Sequence, residues 1–263
     1  MTELPEALYE PRPGGDYAPT ELTRGPWSPD HQHAGPPAAL LAREVERASG
    51  LEHGQTARLS YDILRPVPLA PVAVEARVLR PGRRVEQVEA TLTGAGGEPL
   101  MRATAWRMRV DEALGAEVGA EPAPPGPDTG EPARFRFWTD EVAYRDALDW
   151  SFVDGQFDTP GPATAWTRLR VPLVAGEQAA PLHHLLVMAD AASGISAALD
   201  WAAWSFVNVD LGIHLVRPPR GEWMAMRART EIGPTGAGLC TSRLFDLDGA
   251  VGVSTQSLLV TRR

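Results

Sequence analysis

The chain has 263 residues, 43% of them hydrophobic and 22% charged, with a formal net charge of −9 at pH 7. That length suits one large domain or two of ordinary size, and the apolar fraction is enough for a real core. The acidic balance lacks the basic stripe that nucleic-acid binding needs, no run approaches the roughly 20 apolar residues of a membrane span, and a single cysteine excludes an internal disulfide framework or a multi-cysteine metal site.

Residues 1–30 are rich in Pro, Gly and charge and read as an irregular lead-in. Met1–Glu10 has neither a basic start nor an apolar run, so no secretory signal is predicted, and with one cysteine the chain fits a reducing cytoplasm. The segment 34–49 is predicted to be a helix: Leu40, Leu41 and Val45 recur at helical spacing, Gly35-Pro36-Pro37 is a start signal, and Gly50 a stop. Strands follow at 72–79, 86–93 and 99–109. In the first two, Val72, Val74, Ala76 and Val78, then Val88, Ala90 and Leu92, alternate with a second face, and Gly94–Gly97 makes a turn. The unit reads as a helix followed by an antiparallel meander.

Residues 111–133 are acidic and Pro/Gly-rich, with almost nothing to bury, and read as a linker. The second unit repeats the plan: a short strand near 134–138, an extended stretch at 148–171, a helix at about 182–199, then strands at about 205–216, 222–231, 237–246 and 250–261, with Asp248-Gly249 as a hairpin signal.

The two halves correspond without a gap. Arg65-Pro66 shifted by 152 falls on Arg217-Pro218 (217 − 65 = 152), Gly97 falls on Gly249, and Ala38–Val45 falls on Asp190–Ala197. The predicted organisation is therefore a first unit at 1–110, a linker at 111–133 and a second unit at 134–263, in the α+β class. Each helix is covered by one antiparallel sheet, and the sheets pair edge to edge.

Three polar residues occur in the second copy only. Asp210, Thr230 and Gln256 stand where the first copy has Arg58, Val78 and Thr104, which points to one working site per chain. Thr230 ends an alternating face made of Met224, Met226 and Ala228. Gln256 shares parity with Leu258 and Val260, and Asp210 opens a strand whose other face is Leu211, Ile213 and Leu215. Taken singly, each reads as structural: a turn Asp, a β-favouring Thr, a satisfied Gln.

Taken together, NVDLGIHLVRPPRGEW, ART and GLCTSRLFDLDGAVGVSTQSLLV resemble the acyl-CoA thioesterase II (TesB-like) family of double-hotdog thioesterases, and HAGPPAALL and YDILRPVPL resemble its first hotdog unit. The resemblance covers nearly the whole chain outside the linker. It implies a double hotdog, a site made of Asp210, Thr230 and Gln256, and hydrolysis of acyl-CoA to a fatty or related acid and free CoA. The chain departs from the family at Leu211, where His is frequent, at Ser257, where Glu is frequent, and at Ala34-Gly35, which replaces a glycine pair.

A thioester has a good leaving group, so the chemistry needs a positioned water and a polarised carbonyl. Asp210 would accept the water's proton, with Thr230 and Gln256 holding the water. The helix start at Gly35 and Ala38 is the candidate oxyanion end, and His33 borders the substrate site. No cofactor or metal is implied: His31 and His33 form a pair with no third ligand at motif spacing. Asp190 also matches an Asp seen in the family, with a direct role and a supporting or interface role both open. Cys240 reads as a buried strand cysteine, and one of His183-His184 as solvent-facing. Two rival readings are a non-catalytic acyl-CoA-binding hotdog subunit, and enoyl-CoA hydration, which Asp210 and His214 mimic loosely. Further association into homo-oligomers is left open.

Overall fold

The structure is a computed structural model and describes residues 4–136, 138 and 142–263. In the first half, β1 (Tyr9–Pro11) and β2 (Tyr17–Pro19) form a small hairpin, followed by α1 (Gly35–Ala48), β3 (Gly54–Ile63), β4 (Ala73–Arg80), β5 (Val85–Thr93) and β6 (Pro99–Arg109). In the second half come β7 (Glu131–Pro132), β8 (Leu148–Gln156), β9 (Thr159–Leu169), α2 (Pro181–Ala189), α3 (Ala192–Ile195), β10 (Trp204–Asn208), β11 (Asp210–Leu215), β12 (Trp223–Ile232), β13 (Ala237–Asp246) and β14 (Gly249–Arg262).

Among the described residues one antiparallel sheet runs in the order β4-β5-β6-β3-β11-β14-β13-β12-β9-β8-β7, with β10 also paired to β14. The halves join where β3 meets β11, with Leu211 opposite Tyr61 and Ile213 opposite Leu59. An edge in each half is thereby satisfied by the other. The strands keep the shift read from the sequence: β3 to β6 moved by 152 fall on 206–215, 225–232, 237–245 and 251–261, within β10/β11, β12, β13 and β14.

The helices pack against the sheet and α1 against α2. In α1 every residue from Gly35 to Arg43 is buried, as is Val45, because β4, β5 and β6 cover one side and α2 the other. A helix enclosed in this way must be apolar around most of its circumference. Tyr61 on β3 donates its phenol to the Ala38 carbonyl at 3.0 Å, fixing helix against sheet. The two helices approach closely at Gly35, where a β-carbon would overlap the Val187 carbonyl oxygen. Only glycine fits there.

The Arg-Pro and Asp-Gly signals of the second half meet in one latch. The Arg217 guanidinium donates to both oxygens of Asp246 at 2.6 Å each and to the Gly249 carbonyl at 3.0 Å. The amides of Arg220 and Asp248 complete the carboxylate, each at 2.9 Å. Burial raises the Asp246 carboxyl, but Arg217 and these amides outweigh it and hold it below the usual carboxylate range.

Several elements differ from expectation. The lead-in is packed: Leu8, Tyr9 and Leu22 are fully buried, and Tyr9 donates to Gln32 at 2.6 Å. β3 is a strand that the sequence reading did not assign, although Leu59 and Tyr61 alternate correctly for one. The segment 111–133 is fastened to the outer sheet face: Glu121 bridges Arg227 and Arg243 at 2.9 Å each, Trp166 donates to the Pro125 carbonyl at 2.7 Å, and Pro124 is buried. The strand expected near 134–138 includes residue 137, which lies outside the described residues; the short strand that is described is Glu131–Pro132. The helix expected at about 182–199 breaks at Asp190 and Ala191 into α2 and α3, and the strand expected at about 205–216 is interrupted at Val209. These last two breaks build the site.

Candidate functional site

Asp190 caps the C-terminus of α2, just before α3 begins. Its side chain is only 4% exposed, and both of its oxygens have partners. Oδ1 accepts Asn208 Nδ2 at 2.8 Å and Gln256 Nε2 at 3.2 Å. Oδ2 lies 2.9 Å from His33 Nδ1, and the Ala34 amide also donates to the carboxylate. Burial pushes the Asp190 carboxyl up, but the charge and hydrogen bond of His33, with the bonds from Asn208 and Ala34, outweigh it and leave the pKa lowered. Asp190 is thus a buried carboxylate that stays ionised.

Each partner is delivered by a different element. Gln256 projects inward from β14 and is 1% exposed. Its Nε2 also donates to the Asp190 carbonyl at 3.0 Å, and its Oε1 accepts the Ser193 amide at 3.1 Å, so the amide closes the break between α2 and α3. Such a break leaves backbone groups without helical partners, and a side-chain amide satisfies a donor and an acceptor at once. Asn208 ends β10. His33 arrives from the first half, on the approach to α1, with its ring stacked on Tyr144 at 3.7 Å.

The interruption at Val209 decides which residues face inward. Before it, Phe206 is buried; after it, Leu211, Ile213 and Leu215 are, so the alternation changes phase between them. The Val209 amide donates to Ser257 while its carbonyl accepts Ile63, a bulge-like crossing from pairing with β14 to pairing with β3. Asn208 therefore reaches Asp190, and Asp210 turns to the opposite face.

Of the three residues expected to converge, the structure joins only Gln256 to this network. The Asp210 carboxylate accepts the Ser257 amide at 2.6 Å and the Ser257 hydroxyl at 3.2 Å on an exposed part of the sheet. Thr230 bonds Ser196 at 2.8 Å, beside Cys240. Asp210 thus lies apart, whereas Thr230 and Gln256 stand on the strands either side of Cys240. The expected oxyanion end at α1 is also altered: the Ala38 amide is taken by the Ala34 carbonyl at 3.0 Å, and the Gly35 amide points to His33 Nδ1 at 3.2 Å. Pro36 and Pro37 have no N–H to give. What this helix start supplies is His33 and the Ala34 amide, both directed at Asp190.

Asn208 was missed because a period-2 reading carried straight through to Asp210. One signal was present, since Asn208 shares parity with Trp204 and Phe206 and interrupts an apolar face. Other candidates are accounted for by burial. His184 is buried against Thr167 at 2.9 Å, and desolvation pushes its pKa down to about 3, so it is neutral. His183 meets Glu46 at 3.2 Å. Burial raises the Cys240 thiol, leaving a poor nucleophile. Among the described residues no group of three or more His, Cys, Asp or Glu is arranged to hold a metal ion, and no helix is long and apolar enough to cross a membrane.

Asp190, Asn208, Ser193 and His33 line one part of a cavity of about 500 Å³. Leu64, Val207 and Val209, all more than one-third exposed, lie on its open side; Phe157, Trp201, Phe206 and Val67 are among its buried lining. An ionised carboxylate beside an apolar cavity of this size can take a proton from water next to a bound organic substrate.

Residues 117–260 match the family described as acyl-CoA thioesterase C-terminal domain, and residues 23–108 match the acyl-CoA thioesterase N-terminal domain. No curated protein matches the chain. Among solved structures, a candidate thioesterase II of Thermobifida fusca YX is similar at 22% identity, with 97% of this chain and 95% of that one covered and a TM-score of 0.75. A conserved hot dog fold protein of Alicyclobacillus acidocaldarius is similar at 16% identity, with 95% and 94% covered and a TM-score of 0.72. The acyl-CoA thioesterase II TesB2 of Mycobacterium marinum is similar at 18% identity, with 97% and 95% covered and a TM-score of 0.67. The chain has a hotdog fold, belongs to the acyl-CoA thioesterase family, and is a thioester hydrolase.

Proposed function

We propose that the chain hydrolyses acyl-CoA to a carboxylic acid and CoA with Asp190 as the general base, oriented by Asn208, Gln256 and His33. The observation that carries this reading is the Asp190 carboxylate itself: buried, ionised, and held at once by both halves of the chain while bordering the cavity. Water bound against Asp190 gives up a proton as its oxygen attacks the thioester carbonyl carbon. The tetrahedral intermediate then collapses, the carbon–sulfur bond breaks, and CoA leaves as a thiolate that takes up a proton. Asn208 uses its Nδ2 on Asp190 and on the Asp210 carbonyl, so its Oδ1 is oriented to accept from the same water. Gln256 fixes the break that presents Asp190, and His33 holds the second carboxylate oxygen. No covalent acyl-enzyme is required.

The same reading makes the chain a double hotdog, with units at 1–110 and 134–263 joined by 111–133. The constant shift of 152 through the strands supports it, as does the junction at β3 and β11. One site per chain follows, because Ala38 stands where the second half has Asp190 (38 + 152 = 190).

Thiol release from a panel of acyl-CoAs tests the function. Wild type is expected to turn over at least one of them, and Asp190→Asn to lose about a hundred- to ten-thousandfold in kcat/KM with the fold intact. Undiminished release by Asp190→Asn would remove Asp190 from the chemistry. Binding of acyl-CoA without release would favour a non-catalytic role.

A further inference from the structure

Rings make up most of the large side chains on the buried part of the cavity, with Val67 as a buried aliphatic member. Leu64, Val207 and Val209 are 46%, 40% and 51% exposed, whereas Phe157, Trp201 and Phe206 are 5%, 9% and 2% exposed. These rings form one connected assembly. Phe135 and Phe157 are 4.7 Å apart between centroids, Phe157 and Trp201 are stacked at 5.6 Å, and Trp201 meets Phe206 at 4.5 Å and Trp27 at 4.9 Å. Aromatic side chains have few rotatable bonds, so a wall locked by mutual stacking keeps its shape. It rewards a flat partner, because ring faces and edges carry complementary partial charge that an alkyl chain cannot meet. Asp190 and Asn208 border the same cavity, so a thioester carbonyl held there points its acyl group toward these rings.

We propose that the preferred substrates are ring-bearing acyl thioesters, arylalkanoyl or aroyl, with the ring seated against Phe157, Trp201 and Phe135. This deepens the thioesterase reading and rests on its site. The test compares phenylacetyl-CoA with the carbon-matched n-octanoyl-CoA in two ways. The first is kcat/KM for thiol release by wild type and by Phe157→Leu. The second is quenching of tryptophan fluorescence when each thioester is titrated into Asp190→Asn. Wild type is expected to favour phenylacetyl-CoA by about tenfold, which a gain of about 1.4 kcal/mol in ring contact would give. Phe157→Leu should narrow that ratio, and the titration should show the same preference in binding. Octanoyl turnover equal to or faster than phenylacetyl turnover, or equal binding of the two, overturns the proposal while leaving hydrolysis in place. Preferential binding of phenylacetyl-CoA with no thiol release from any thioester overturns the hydrolytic site instead and keeps the aromatic one.

Discussion

Replacing Arg217 by Met separates the latch at the Arg-Pro turn from the chemistry. Arg217 makes two short bonds to Asp246, whose side chain is 1% exposed, and a third to the Gly249 carbonyl. Without the guanidinium, the carboxylate keeps only the amide donors of Arg220 and Asp248 and remains buried. Charge-assisted bonds contribute about 1.5–3 kcal/mol each, and breaking a buried pair from one side costs about 3–5 kcal/mol. Since Arg217 is itself 21% exposed, the lower part of that range applies, and we expect a loss of about 3 kcal/mol in equilibrium urea unfolding at neutral pH. The sign with pH is fixed. The folded-state pKa of Asp246 is depressed, so its contribution is present above the unfolded value of 3.8 and is lost as pH falls through the folded value. In Arg217→Met the carboxyl takes up a proton more readily, so the deficit relative to wild type should shrink as pH falls toward about 4. Converting both residues to apolar ones, as in Arg217→Met with Asp246→Leu, should recover much of the loss. A deficit below about 1 kcal/mol at neutral pH, the size seen for surface pairs, would refute the reasoning.

His184 supplies a second stability prediction. Its pKa is pushed from 6.5 to about 3 by burial, so the unfolded chain binds a proton that the folded chain excludes, and stability falls as pH drops below 6.5. By about pH 5.5 the wild type should lose about 1.4 kcal/mol that His184→Gln does not lose, read from paired unfolding curves; parallel curves would mean that the imidazole is solvated. Gly35→Ala places a methyl against the Val187 carbonyl and should lower stability by about 1–3 kcal/mol in thermal unfolding, with no change showing that α1 and α2 part easily. In a single turnover in heavy-oxygen water, direct attack puts the label in the released acid. Label in the Asp190 carboxylate instead would indicate a covalent anhydride and contradict the general-base role.

Much of the fold was legible because burial imposes periodicity. β5 alternates cleanly, and the shift between halves exposes the repeat. The site was harder to read, and for a physical reason. It is assembled at two irregularities, the break between α2 and α3 and the bulge at Val209, and periodic patterns do not mark where a helix opens or a strand changes phase. Gln256 stands out in the sequence because it sits in a regular strand, as a polar residue on an apolar face. Asn208 and Asp210 are two positions apart, and regular alternation would place them on one face; the bulge separates them. Asp190 was visible, but its importance depends on His33, 157 positions earlier (190 − 33 = 157), and on Gln256. The helix start at Gly35 reads from sequence as an oxyanion end. In the structure, the residues just before it, His33 and Ala34, meet the Asp190 carboxylate.

The central claim is that Asp190, and not Asp210, is the working carboxylate. The most direct measurement is kcat/KM for thiol release by Asp190→Asn and Asp210→Asn prepared side by side, on the thioester that wild type cleaves best. We expect Asp190→Asn to fall by about a hundredfold or more while Asp210→Asn stays within about twofold of wild type, its carboxylate bonding Ser257 among the described residues. The reverse pattern, with Asp210→Asn inactive and Asp190→Asn active, would contradict the account.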